Sequence, residues 1–151
     1  MNYTLMTLVE NNTAFVLERT KPANNCREKL NTYILSSLEY QGRHREYVNA
    51  LLEIVFNART PENIPYYKLN DNEEEPLVFQ LQHILSSGQK SGEFQEFNTL
   101  VMARAIQGAI GEYMANPNLS AKIDTTASGL ELTRIFERAV LNDRKNDDPF
   151  T

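Results

Sequence analysis

Apolar residues recur along this chain at intervals of three and four, with polar residues between them, which is the spacing of helices that each bury a stripe. Residues 3–19 set Leu5, Leu8, Val9, Phe15 and Val16 near one helical face, although Tyr3, Leu5, Thr7 and Val9 also alternate like a strand; helix is the preferred reading. Lys21-Pro22-Ala23-Asn24-Asn25 breaks it, and a second helix over 25–41 carries Cys26, Leu30, Tyr33, Ile34 and Leu38, ending at Gly42. In a third, over 43–58, Tyr47, Val48, Leu51, Leu52, Ile54, Val55 and Phe56 cover more than half the circumference, which predicts the central, most buried helix. An irregular stretch follows over 59–75, with Pro61, Pro65 and Pro76 nearby and an acidic run at 71–75, the pattern of a solvated loop leading into a negatively charged helix start. The fourth helix, over 74–87, presents Leu77, Val78, Leu81, Ile84 and Leu85 and stops at Ser87-Gly88.

The last two predicted helices have more apolar surface than one core needs. After the turn-forming Gly92, the stretch to Met114 sets Met102, Ala105, Ile106, Ala109 and Tyr113 on one stripe, which Ala103, Ile110 and Met114 widen. Gly108 and Gly111 remove side chains elsewhere on that helix. In an exposed helix each costs about 1 kcal/mol relative to alanine, so close packing by a neighbouring helix or a second subunit is expected there. Asn116-Pro117-Asn118 reads as a stop, and residues 120–142 as one further long helix with Leu132, Ile135, Phe136, Ala139 and Val140 on its main stripe and Leu130 and Leu141 roughly opposite.

This order of helices, with Gly-Glu-Phe before a wide apolar helix containing Ala-Arg-Ala-Ile and Gly-Ala-Ile and a last helix ending Arg-Ile-Phe-Glu-Arg-Ala-Val, resembles the C-terminal regulatory domain of tetracycline-repressor family transcription regulators. The resemblance covers nearly the whole chain and rests on helix order and small residues. It implies an all-α, six-helix regulatory bundle whose last two helices pair with their copies in a second subunit as a four-helix dimer interface. Ala105, Gly108, Gly111, Met114, Leu132, Phe136 and Val140 are the candidates for that interface. It also implies a pocket for a small-molecule effector, with Tyr33, Leu51, Val55, Phe56, Met102 and Ile106 as candidate walls, each of which also reads as ordinary core. Such regulators begin with a three-helix DNA-binding unit of about fifty residues, and nothing before Tyr3 or elsewhere reads as a recognition helix. DNA contact would therefore need a helix-turn-helix head outside this sequence. The competing expectation is a headless helical adaptor that binds a protein partner and does not touch DNA.

Composition narrows the picture. With 151 residues and 41% hydrophobic content the chain suits a single domain that buries about 70% of its unfolded surface. A net charge of −5 argues against a broad nucleic-acid footprint. One cysteine, Cys26, excludes an internal disulfide framework and fits a reducing, cytoplasmic setting. No signal peptide opens the chain and no apolar run reaches the ~18 residues that would span a membrane. Residues 143–151 read as a flexible tail.

Chemistry is sparse. His44 and His83 stand apart from any cluster with metal-ligand spacing, and no phosphate loop, nucleophile elbow or HExxH motif occurs, so no metal, cofactor or enzymatic activity is expected. Glu39 with Arg43, and Glu131 with Arg134 and Arg138, have the spacing of surface ion pairs. Phe79 and His83 sit one turn apart, opposite Leu77, Leu81 and Ile84; they suit either the wall of a ligand cavity or a half-exposed face packed on a neighbour.

Overall fold

The computed structural model describes residues 2–45 and 76–142. Among them are six helices and no strand, so the fold is all-α: α1 (Asn2–Thr20), α2 (Cys26–Arg43), α3 (Pro76–Ser91), α4 (Thr99–Ala115), α5 (Pro117–Lys122) and α6 (Thr125–Val140). Nearly all of the helix expected at 43–58, the acidic loop at 59–75 and the tail expected at 143–151 lie outside the described residues.

Four of these helices start at an Asn or Asp whose side chain accepts from the first turn. Asn25 accepts from the N–H of Glu28, Asn98 from Val101, Asn116 from Asn118 and Leu119, and Asp124 from Ala127. Each such cap stabilises its helix by about 1 kcal/mol, because the N–H groups of a first turn have no partner within the helix. Asn116 and Pro117 therefore do more than stop α4. They cap and begin α5, with proline at a first-turn position where its missing N–H costs nothing. The single helix expected over 120–142 is in fact two, since Ile123 and Asp124 take extended backbone and the Asp124 carboxylate competes with helix continuation by capping α6.

Packing is organised around α2, which meets α1, α3, α4 and α6. Leu30, Tyr33, Ile34 and Leu38 are fully buried, facing Val16 of α1, Leu81, Ile84 and Leu85 of α3, Ile106 and Ile110 of α4 and Val140 of α6 within one continuous core. At about 25 cal/mol per Å² of apolar surface, burying each such side chain contributes roughly 1.5–3 kcal/mol. Gly129 lets α6 lie close on α2, for a Cβ there would stand 2.8 Å from Leu35 Cδ2. Against the other side of α2 lies α1, whose Phe15 ring meets Tyr40 at 5.3 Å while Arg19 stacks over Phe15 and pairs with Glu39 at 3.3 Å.

The inward faces of the last helices are rotated from the expected stripes. On α4 the buried positions are Ala103, Ile106, Ile110, Tyr113 and Met114, and Ala105 faces outward. On α6 they are Ser128, Gly129, Thr133 and Val140, with Leu132 and Phe136 partly buried and Ile135 exposed. Ser128 and Thr133 thus take core positions on α6, while Ile135, expected on the apolar stripe, faces outward. Thr133 can do so because its hydroxyl donates to the Leu130 carbonyl at 2.8 Å.

Gly88, expected to end the fourth helix, lies inside α3, which continues to Ser91. A Cβ at that position would stand 2.1 Å from the ring of Phe94, itself 2% exposed and unable to retreat. Gly88→Ala is expected to destabilise the fold by about 1–3 kcal/mol through overpacking. Chemical denaturation checks it, and a loss below a few tenths would mean that Phe94 can shift.

Candidate functional site

Among the described residues, polar groups converge where Gly-Glu-Phe crosses the ends of three helices. Gly92, at φ +87°, turns the chain out of α3 in the left-handed region that glycine takes without strain. Glu93 then reaches the start of α2, where its carboxylate accepts from the backbone N–H of Cys26 at 3.1 Å and of Arg27 at 3.4 Å, and from the Ser91 hydroxyl at 3.2 Å. With Asn25 on the Glu28 N–H, three donors of the first turn of α2 are satisfied by two side chains, and the carboxylate sits at the positive end of the helix dipole.

The same segment closes the far end of α6. The Glu93 carbonyl accepts from the N–H of Asn142 at 3.0 Å, and Phe94 bridges to Leu141. Gln95 donates from its backbone to the Val140 carbonyl at 2.9 Å and from its side chain to the Ala139 carbonyl at 2.7 Å, which occupies two acceptors that a helix end leaves open. Gln89 of α3 holds the loop from behind through the carbonyls of Gln95 and Phe97. Arg27 pairs with Glu137, which also accepts from the Asn31 amide at 3.1 Å, so the sides of α2 and α6 are joined as well.

Electrostatics follow this geometry. Burial pushes the Glu93 carboxyl up, but donors from Cys26, Arg27 and Ser91 outweigh it and hold the group below its ordinary value of 4.5. Cys26 moves the other way, raised by burial and then by the facing Glu93 carboxylate, so its thiol stays protonated and a poor nucleophile. The arrangement is a mechanical clasp, and among the described residues no group of three His, Cys, Asp or Glu side chains could hold a metal.

Of the expected ligand-wall residues, the described ones are divided between the core and the surface. Tyr33 and Ile106 are fully buried, and the Tyr33 hydroxyl is already engaged by the Leu77 carbonyl at 3.0 Å; Met102 packs on the core from its edge. Phe79 is 60% exposed and His83 is exposed too, so that face of α3 turns outward and does not line the interior. Leu51, Val55 and Phe56 lie outside the described residues. Two open clefts lie among the described residues: one of about 290 Å³ beside Arg19, Pro22, Glu28 and Asn31, the other of about 230 Å³ along Thr133, Arg134, Glu137 and Arg138.

The expected interface residues also divide. Ala105 and Gly108 are exposed, and Gly111, Leu132 and Phe136 are partly so. Met114 and Val140 belong to the chain's own core, at 2% and 0% exposure, and are removed from any outer surface. No packed neighbour explains Gly108 or Gly111, since a Cβ at either would meet nothing within 4 Å among the described residues. In the sequence Gly-Glu-Phe shows only a turn; the one further signal of the clasp is an acidic residue after a glycine, able to meet a helix start far off in sequence.

No protein-family model matches the chain, and no curated protein matches it. Among solved structures it is similar to a protein with unknown function from Rhodococcus sp. RHA1, with a TM-score of 0.73 at 10% sequence identity, over 93% of this chain and 71% of that one. At that identity the likeness bears on the fold alone. No described helix is long and apolar enough to cross a membrane.

The carboxylate of Glu93 supplies a pH test. Its folded value is lowered, so its contribution is fully present above the unfolded value near 4.5 and is lost as pH falls through the folded value. Glu93→Gln is expected to cost about 1–2 kcal/mol near neutrality, the scale of hydrogen bonds to a charged group. The gap to the unaltered chain should close as pH drops below that range, as followed by urea denaturation. A gap independent of pH would show that the charge plays no part.

Proposed function

We propose that this chain is the effector-sensing and dimerisation part of a transcription regulator of the tetracycline-repressor kind, acting on DNA through an attached helix-turn-helix segment. The observation that carries the reading is the pair of long C-terminal helices that each retain large apolar residues on the outer side: Leu100 and Val101 on α4, Leu130 and Ile135 on α6. Exposed apolar residues grouped on two helices are what a subunit contact would cover.

Coupling would run through α1. Among the described residues its main packing partner is α2, whereas α2, α3 and α6 are tied to one another by the clasp. An effector settling between the helices beside Met102 and Ile106, with Leu51, Val55 and Phe56 as further proposed walls, would displace α1 and with it an attached head. Such a ligand acts only by the difference in its affinity for the two head spacings, and a hundredfold preference moves the equilibrium by about 2.7 kcal/mol. Among the described walls the Tyr33 phenol is already bonded to Leu77 and Met102 and Ile106 are apolar, which favours an apolar or weakly polar effector.

Native mass spectrometry of the purified chain tests the reading. The expected result is a dimer with a discrete small-molecule mass added. A bare monomer that assembles only with another protein would overturn it in favour of an adaptor.

A further inference from the structure

Where α1 gives way to α2, the chain leaves an open cleft of about 290 Å³ lined by Arg19, Pro22, Ala23, Glu28, Asn31 and Thr32. Its polar wall on α2 comes from one stripe, because Glu28, Asn31 and Thr32 stand at i, i+3 and i+4 and are neighbours on the helix surface. Arg19 contributes from the end of α1, and the turn between the helices adds Pro22 and Ala23 as an apolar edge.

These groups have bonding capacity to spare. The Arg19 guanidinium lies over the Phe15 ring and gives one long bond to Glu39, at 3.3 Å. Most of its N–H donors therefore have no acceptor among the described residues. The Glu28 carboxylate accepts from the Asn24 N–H through one oxygen, which leaves the other open. Asn31 donates its amide N–H to Glu137 at 3.1 Å, and because a carboxylate only accepts, that bond fixes which way the amide is turned. The Asn31 oxygen is then a buried acceptor with no donor among the described residues, a lack that folded proteins seldom leave unanswered.

The cleft thus sets a cation with open donors on one helix against a carboxylate and an amide oxygen on the other. A net anion would be repelled by Glu28 and a net cation by Arg19, whereas a neutral molecule carrying both charges meets a partner at each. At ~30 Å³ for each water in the liquid, the cleft has room for about ten, the scale of a small amino acid.

The geometry points to a binding site for a free aliphatic amino acid, with its carboxylate on Arg19, its ammonium between Glu28 and Asn31, and its side chain against Pro22 and Ala23. One such ligand touches α1, the turn and α2 together, and so ties the first helix to the frame. The site is separate from the interior position beside Met102 and Ile106, and the inference does not depend on the transcription-regulator reading.

Residue-resolved NMR titration of the full chain with L-valine tests it, with isovalerate, which lacks the ammonium, and isobutylamine, which lacks the carboxylate, as matched probes. L-Valine is expected to bind in the millimolar range, as suits an open cleft, and to shift the amides of Arg19, Ala23, Glu28, Asn31 and Thr32 to saturation. Each matched probe leaves one charged group unmet and should bind about tenfold more weakly or worse. Arg19→Gln and Glu28→Gln should each weaken L-valine by a similar factor, and Glu28→Gln keeps an acceptor for Asn24; circular dichroism checks that both remain helical. Arg134→Gln, at the other cleft, should leave binding unchanged. The absence of any saturable shift at the cleft would overturn the proposal, as would L-valine binding that neither Arg19→Gln nor Glu28→Gln weakens. Isovalerate or isobutylamine binding as tightly as L-valine would overturn it too, because one charge would then suffice. Saturable shifts confined to Met102 and Ile106 would remove this site while supporting the interior one.

Discussion

One carboxylate ties the described structure together. Glu93 answers two unpaired N–H groups at the start of α2, and the peptide that carries it answers the end of α6, so segments that are 66 or 67 residues from Glu93 in sequence at one end and 49 at the other are fixed to a single point. Without it the part-buried N–H of Cys26 would have no partner, a deficit of about 1–3 kcal/mol, while the exposed N–H of Arg27 would turn to water. The Phe94 ring then drops against Gly88 and fills the space beneath the turn. Because α2 is also the helix on which the other long helices pack, fixing its start fixes the frame of the bundle.

What periodicity could read, it read well. An all-α chain, the bounds of α1 and α2 to within a few residues, and the buried residues of α2 and α3 follow from three-and-four spacing, since Leu30, Tyr33, Ile34, Leu38, Leu81, Ile84 and Leu85 all reach the core. The faces of α4 and α6 were harder, because both carry apolar or small residues on several sides and the period alone does not choose among them. Packing chose Ala103 over Ala105 and Thr133 over Ile135, the latter through a backbone hydrogen bond that hydropathy cannot register. The break at Asp124 was written locally, as a capping carboxylate three residues before Ala127, but the apolar stripe running past it masked the signal. The clasp was not legible, since it depends on contacts between residues far apart in the chain.

The candidate site was legible only in outline. Tyr33 and Ile106 lie deep in the bundle as a ligand wall would require, yet the same burial marks ordinary core, and Tyr33 already has its partner. Phe79 and His83 fell on the outer face because the stripe of Leu77, Leu81 and Ile84 turns the opposite side of α3 away from the core. What the sequence did carry to the surface is the excess of apolar and small residues on the last helices. That excess separates the molecule into a clasped frame, an outer face on α4 suited to a partner, and a first helix resting on α2. The proposed sensing role would need these three parts to respond differently, with a fixed frame, an interface for a second copy and a first helix able to move.

Amide hydrogen exchange on the unaltered chain, resolved by residue, tests that division most directly. The account predicts that residues 26–29, 93–95 and 139–142 open together, at the free energy of global unfolding, and that the amides of α1 exchange through a smaller, separate opening. If α1 is protected to the same degree as α2, or if the three clasp segments open independently, then the chain has no fixed frame with a movable first helix, and the proposed coupling has no structural basis.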